Sequence, residues 1–290
     1  MRLLNTTILE LSQFTRDRPP YAILSHTWGP EEVTFQGINS AERAQEKGFA
    51  EIEGCCRQAR ADTLEWVWVD TCCIDKTSSA ELSEAINSTY AWYRDSEVCY
   101  VYLEVVAAQD DGFPLESFRS ARWFTRGWCL QELIAPTMFS KCNIIEQIRA
   151  IPKAVLLDHA LDQCSIAQKM SWAWGRETTR VEDEAYCLLD LFGVNMPMLY
   201  GEGERAFYRL QEEIIKQTED YSFLLWCGVP RDKQHRTPAA RLPIFAPRPA
   251  CFHRYGSKRV GVVGYIWQRQ GRVSAPERRR YFCQHQTDPS

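Results

Sequence analysis

Three short runs rich in β-forming residues recur in the first part of the chain: YAILS at 21–25, EWVWV at 65–69 and EVCYVYL at 97–103. Helical stretches separate them. Residues 42–61 place Phe49, Ile52, Cys56 and Ala59 on one helical face. Ser78 and Glu81 have capping-box spacing, and the helix they start carries Leu82, Ile86, Thr89, Tyr90 and Tyr93 on its buried side. A strand–helix–strand–helix–strand series implies a parallel sheet with helices on both faces, because parallel neighbours need a crossover connection. The expected fold class is therefore α/β, with a helical region and a small β-rich tail after it.

The remainder is read around that unit. Residues 1–20 are a short opening ended by Pro19 and Pro20. Periodicity is weak over 137–180, apart from an amphipathic stretch from Ser165. A helix is expected at 182–192, with Ala185, Leu188, Leu189 and Phe192 on one face and Gly193 as its C-cap. A second, strongly amphipathic helix at 204–219 turns Phe207, Leu210 and Ile214 inward. Val260–Trp267 reads as a strand. The expected division is 1–150 as the α/β domain, 151–226 as a helical extension and 227–290 as a partly β tail.

Charge and cysteine usage exclude several classes. The net charge is −4, with no basic excess of the kind a nucleic-acid binder needs. No run approaches the roughly 18 apolar residues of a membrane span, and Met1–Glu10 lacks the apolar core of a secretory leader. The 12 cysteines include the adjacent pairs Cys55–Cys56 and Cys72–Cys73, which lack the C-x-x-C spacing of zinc sites. Free thiols, no metal, no cofactor and a cytoplasmic location are expected.

Candidate site residues come from two arguments. Ligands of open parallel sheets bind beyond the strands' C-terminal ends. Ser25, His26 and Trp28 follow the first strand, and Asp70 and Asp75 follow the second. The second argument concerns RWFTRGWCLQELIAP at 122–136. On a helix starting near Arg126, Cys129, Leu130, Leu133 and Ile134 form an apolar stripe, and Pro136 closes the helix. Trp128 and Glu132 share a different face, four residues apart, as expected of residues lining a cleft.

Four stretches then carry a resemblance: YAILSHTWG at 21–29, VWVDTCCIDKTSSAELSEAINSTYAWY at 67–93, SARWFTRGWCLQELIAP at 120–136 and RVEDEAYCLLDLFGVNMPMLYGEGERAFYRLQEEI at 180–214. They resemble the fungal heterokaryon-incompatibility (HET) domain and its usual C-terminal continuation. The resemblance implies a filamentous fungus and a role in nonself recognition that ends in regulated cell death. No obvious partner domain is read after residue 226, so a separate recognition partner is expected, and self-association on activation is expected as in some TIR domains. After Pro136 the chain departs from the family pattern, with TMFSKCNIIEQIRA in place of an apolar strand and a tryptophan.

A shorter segment, WCLQEL at 128–133, is similar to the W-C-x-x-E-L of plant TIR domains, in which the glutamate is required for NAD cleavage. That likeness implies a TIR-like or Rossmann-like sheet, NAD as substrate and Glu132 as the catalytic carboxylate. Trp128 or Trp28 would stack on a ring, Asp70 would hold ribose hydroxyls, and Arg122 or Arg126 would pair with pyrophosphate. No G-x-G-x-x-G fingerprint accompanies it, so an ordinary dehydrogenase is not expected. Two competing readings use the same residues. In a non-catalytic homotypic signalling module, Trp123, Phe124 and Trp128 would be interface anchors. In a cysteine hydrolase, His26 would activate Cys72 or Cys73.

Overall fold

A computed structural model describes residues 1–103, 115–136, 145–146, 149–226 and 244–255. The described part lies within one compact unit, Met1–Ser257. The strands are β1 (Arg2–Asn5), β2 (Leu11–Gln13), β3 (Tyr21–Ser25), β4 (Trp66–Trp68) and β5 (Val98–Val101), and they form one sheet in the order β2-β1-β4-β3-β5. β3 runs parallel to β4 and to β5, with Ala22 opposite both Val67 and Val98. Every residue of β3 is buried, as a parallel strand covered on both faces requires.

The expected parallel sheet is only part of the whole. The opening residues carry β1 and β2, and β1 pairs antiparallel with β2 and β4, so the sheet is mixed. These strands are four and three residues long, too short for alternation to be read. The Asn5 carboxamide closes the turn between them by accepting from Thr7 N at 2.9 Å and Ile8 N at 3.2 Å.

Helix α1 (Phe49–Ala61) buries Ile52, Cys55, Cys56 and Ala59. It starts later than residue 42 because Gly48 N–H bonds Glu31 O at 3.0 Å, and a Cβ on Gly48 would meet Glu32. Residues Arg43–Gln45 form a separate 3-10 turn. One helical turn, α2 (Asp70–Cys73), follows β4 directly. Helix α3 (Ser79–Arg94) is capped by Ser78, whose side chain accepts from Glu81 N. The Glu81 carboxylate bonds Asp75 N at 2.9 Å instead of returning to the cap.

After α4 (Leu115–Ser120) and a 3-10 turn at Arg122–Thr125, α5 (Cys129–Ile134) begins at Cys129, three residues later than Arg126. Its stripe of Cys129, Leu130, Leu133 and Ile134 is buried as expected. These four join a second core, built mainly from later residues, while the neighbouring Ala135 packs in the core of the sheet. Around the second core lie α6 (Lys153–Asp158), α7 (Ile166–Ser171), α8 (Asp183–Tyr186) and α9 (Arg205–Gln217).

The single helix expected at 182–192 is broken into α8 and a 3-10 turn at Asp190–Phe192, with Gly193 at φ 64 ending it. Polar side chains of this segment are drawn to loops: Glu182 accepts from Gly201 N at 2.7 Å and Gly203 N at 3.0 Å. Of the expected tail, the 3-10 segment Pro249–Tyr255 packs on α7. The strand at 260–267 and the divergent stretch at 137–144 lie outside the described residues. Among the described residues no helix is long and apolar enough to cross a membrane.

Candidate active site

The parallel connections carry the ends of β3 and β4 to one edge of the sheet, and a cleft of about 450 Å3 opens there. Leu82, Ile86, Thr89 and Tyr93 of α3 line it, so much of the expected buried side of that helix is a cleft wall. Trp128, Cys129, Gln131 and Glu132 line it from α5 and its N-cap. Thr179, Arg180, Asp183 and Tyr200 complete it from the later part of the chain.

Glu132 accepts a hydrogen bond from Ser25 Oγ, and the Trp123 indole N–H donates to that same Oγ at 2.6 Å. With Trp123 on an acceptor lone pair, the single Ser25 proton is directed to the carboxylate. Burial pushes the Glu132 carboxyl up to about 7, and the Asp70 charge adds to this. The Ser25 bond, the His26 charge and the Cys129 thiol act against it.

His26 is buried directly beyond β3. Its Nε2 lies 3.5 Å from Glu32 and 3.8 Å from Glu51, and its Nδ1 lies 3.9 Å from Asp70. Burial opposes the imidazolium, but the Glu32 hydrogen bond and the charges of Asp70, Glu32 and Glu51 outweigh it and raise the pKa to about 9. These carboxylates therefore favour the imidazolium form at neutral pH.

Trp28 N–H donates to Asp70 Oδ2 at 2.8 Å, and Lys76 Nζ sits 3.3 Å from the centroid of the Trp28 ring. Across the cleft, Asp183 is held by Tyr200 OH at 3.0 Å and by the Trp128 indole, and burial raises its carboxyl. The structure thus brings His26, Trp28, Asp70, Arg126, Trp128 and Glu132 to one cleft, with Ser25 bonded behind Glu132.

Two expected site residues stand elsewhere. Asp75 caps a turn, accepting from Thr77 N at 3.0 Å, Thr77 Oγ1 at 2.6 Å and Gln36 Nε2 at 2.9 Å. Arg122 is exposed outside the lining. Lys76, Arg180, Asp183 and Tyr200 were not anticipated. Lys76 lies in the same exit loop as Asp70, whereas Arg180, Asp183 and Tyr200 reach the cleft only through long-range packing.

The geometry also bears on the two competing readings. Trp123 is 2% exposed and Phe124 is 1% exposed, so neither is available as an interface anchor. Cys72 is buried, and its hydrogen bond with Cys73 together with that burial holds its thiol well above the usual range. The carboxylates around His26 raise its pKa to about 9, which disfavours it as a general base at neutral pH. Among the described residues no group of three or more His, Cys, Asp or Glu could hold a metal ion. The nine described cysteines are all free thiols.

The fold and site together are those of an α/β domain whose parallel strands end at a cleft of carboxylates, cations and aromatic rings. Residues 21–114 match the family model of the heterokaryon incompatibility protein (HET). The vegetative incompatibility protein HET-E-1 of Podospora anserina is 45% identical over 220 residues, which cover 68% of this chain and 16% of that protein. The chain belongs to the HET-domain proteins. It spans only 16% of the length of that curated relative. No solved structure matches it significantly.

Proposed function

We propose that this chain is an effector of fungal heterokaryon incompatibility that triggers cell death by cleaving the nicotinamide–ribose bond of NAD. The role in incompatibility is supported by the HET match and by the name of the Podospora relative. The observation that carries the chemistry is the Glu132 carboxylate, set in the cleft wall with an aromatic ring beside it and cations around it.

The reaction asks little of a protein. The C1′–N bond breaks and nicotinamide leaves with the electron pair as a neutral base, so no general acid is needed. The ribose becomes oxocarbenium-like, and a nearby carboxylate stabilises that charge. Water then adds to C1′ and loses a proton, leaving ADP-ribose. Glu132 is the stabilising group, Ser25 orients it, and Trp28 or Trp128 supplies a face for the leaving ring. Asp70 accepts from the ribose hydroxyls. The TIR-like character of the cleft belongs to this reading, as do self-association on activation and a recognition partner outside this chain. So does a cytoplasmic location, in keeping with the free thiols.

Overproduction in a fungal host tests the reading. The wild-type chain is expected to deplete cellular NAD and kill, and Glu132→Gln at equal abundance to do neither. Killing by Glu132→Gln with NAD undiminished would leave a non-catalytic signalling module as the better account.

A further inference from the structure

We propose that the mouth of the cleft is a diphosphate-binding subsite formed jointly by Arg126, just before α5, and Arg180, just before α8. The ligand class is a nucleotide bearing a diphosphate. The proposal deepens the NAD reading and rests on it for the rest of the ligand.

The two arginines belong to strips zipped together by backbone bonds. Glu177 N–H donates to Thr125 O at 2.5 Å, and Gly127 N–H donates to Glu177 O at 2.8 Å. The Arg176 guanidinium bonds Arg126 O at 2.8 Å, and Arg126 Nη2 donates to Thr179 Oγ1 at 3.3 Å. The approach is close enough to require glycine at 127, because a Cβ there would collide with Thr178 Cγ2. Arg180 is thereby fixed on the same rim as Arg126, with its guanidinium carbon 4.4 Å from the centroid of the Tyr200 ring.

Both guanidiniums line the cleft, and among the described residues no ion pair joins either one to a carboxylate. The acid on that rim, Asp183, is bonded by Tyr200 and Trp128 and also feels the Arg180 charge, which lowers its pKa without forming an ion pair. Two permanent cations lining one cleft favour an anion there, and their planar forks match phosphate oxygens bidentately. The same lining also carries the carboxylates Glu132 and Asp70, with His26 and Lys76 beside them. An anionic diphosphate at the arginines and a positively charged ribosyl centre at Glu132 complement those groups.

The test is calorimetric titration of the full chain with ADP, adenosine and inorganic pyrophosphate, with nicotinamide release from NAD measured in parallel. ADP and pyrophosphate are expected to bind, and adenosine to bind more weakly than ADP. Arg180→Ala is expected to weaken ADP at least about tenfold, as for loss of a charged hydrogen bond, and to leave adenosine unchanged. Arg180→Lys should recover part of the loss, and Lys216→Ala, outside the lining, should have no effect. Arg180 is exposed, so its removal spares the core, and equal melting temperatures check this. ADP binding that depends on Arg180, without NAD cleavage, keeps the subsite and removes the NAD reading. NAD cleavage with KM and ADP affinity unchanged in Arg180→Ala overturns the subsite and keeps that reading. Adenosine binding as tightly as ADP also overturns it.

Discussion

Ser25 donates its hydroxyl hydrogen bond to Glu132, a residue 107 positions later, while the Trp123 indole N–H donates to the same oxygen at 2.6 Å. Ser25→Ala strips the carboxylate of its donor and leaves the Trp123 N–H unpaired in the core. A loss of about 1–3 kcal/mol follows from the orphaned indole. The Glu132 carboxyl should also titrate above 7, because the Ser25 bond lowers its pKa. Urea denaturation reads the first effect and the pH profile of NAD cleavage the second.

Glu132 is held against its own stability. Its folded-state pKa of about 7 exceeds the ordinary 4.5. The folded protein therefore binds the proton more tightly, and the associated stability is present below 4.5 and lost as pH rises through 7. Glu132→Gln should remove this dependence and stabilise the protein at pH 8 by on the order of 2–3 kcal/mol. Denaturation at pH 4.5 and pH 8 checks it. A Glu132→Gln protein less stable than wild type at pH 8 would contradict the buried-carboxylate account.

His26 supplies a second dependence of the same sign. Its pKa is raised from 6.5 to about 9, so its contribution is complete below 6.5 and disappears as pH rises through 9. His26→Gln leaves Glu32, Glu51 and Asp70 facing one another without their cation. It should be markedly less stable than wild type at pH 6 and approach it above pH 9. Thermal melting across this range makes the comparison, and a constant difference at all pH values would count against a charged His26.

The buried thiols should be inert in the folded state. Burial pushes Cys56 up to about 12 and raises Cys55, Cys99, Cys129 and Cys187 as well. Alkylation near neutral pH should therefore spare these five until denaturant is added. Peptide mapping of the labelled sites provides the check.

The legible parts of the fold and site were those with a local cause. β3, β4 and β5 were visible because each is a continuous β-rich run between helical stretches. β1 and β2 were not, because three or four residues carry no periodicity. The strand-edge rule brought Ser25, His26 and Asp70 to the cleft region, and the helical-face argument brought Trp128 and Glu132. The same edge rule overreached at Asp75, where the turn after α2 uses the carboxylate for its own backbone. Arg180 owes its place to the pairing of 125–127 with 176–180, which leaves no trace in local sequence.

Assay of nicotinamide release from NAD by the purified chain separates an NAD-cleaving enzyme from a scaffold. It should be run at high protein concentration to permit assembly, with Glu132→Gln of matched folded fraction beside it. Release by the wild type should rise as pH passes through 7 and Glu132 ionises. The rate should be lower by about a hundredfold or more in Glu132→Gln, as for loss of one preorganised electrostatic group. Equal release by the two proteins, or none from a folded and assembled wild type, would contradict NAD cleavage through Glu132.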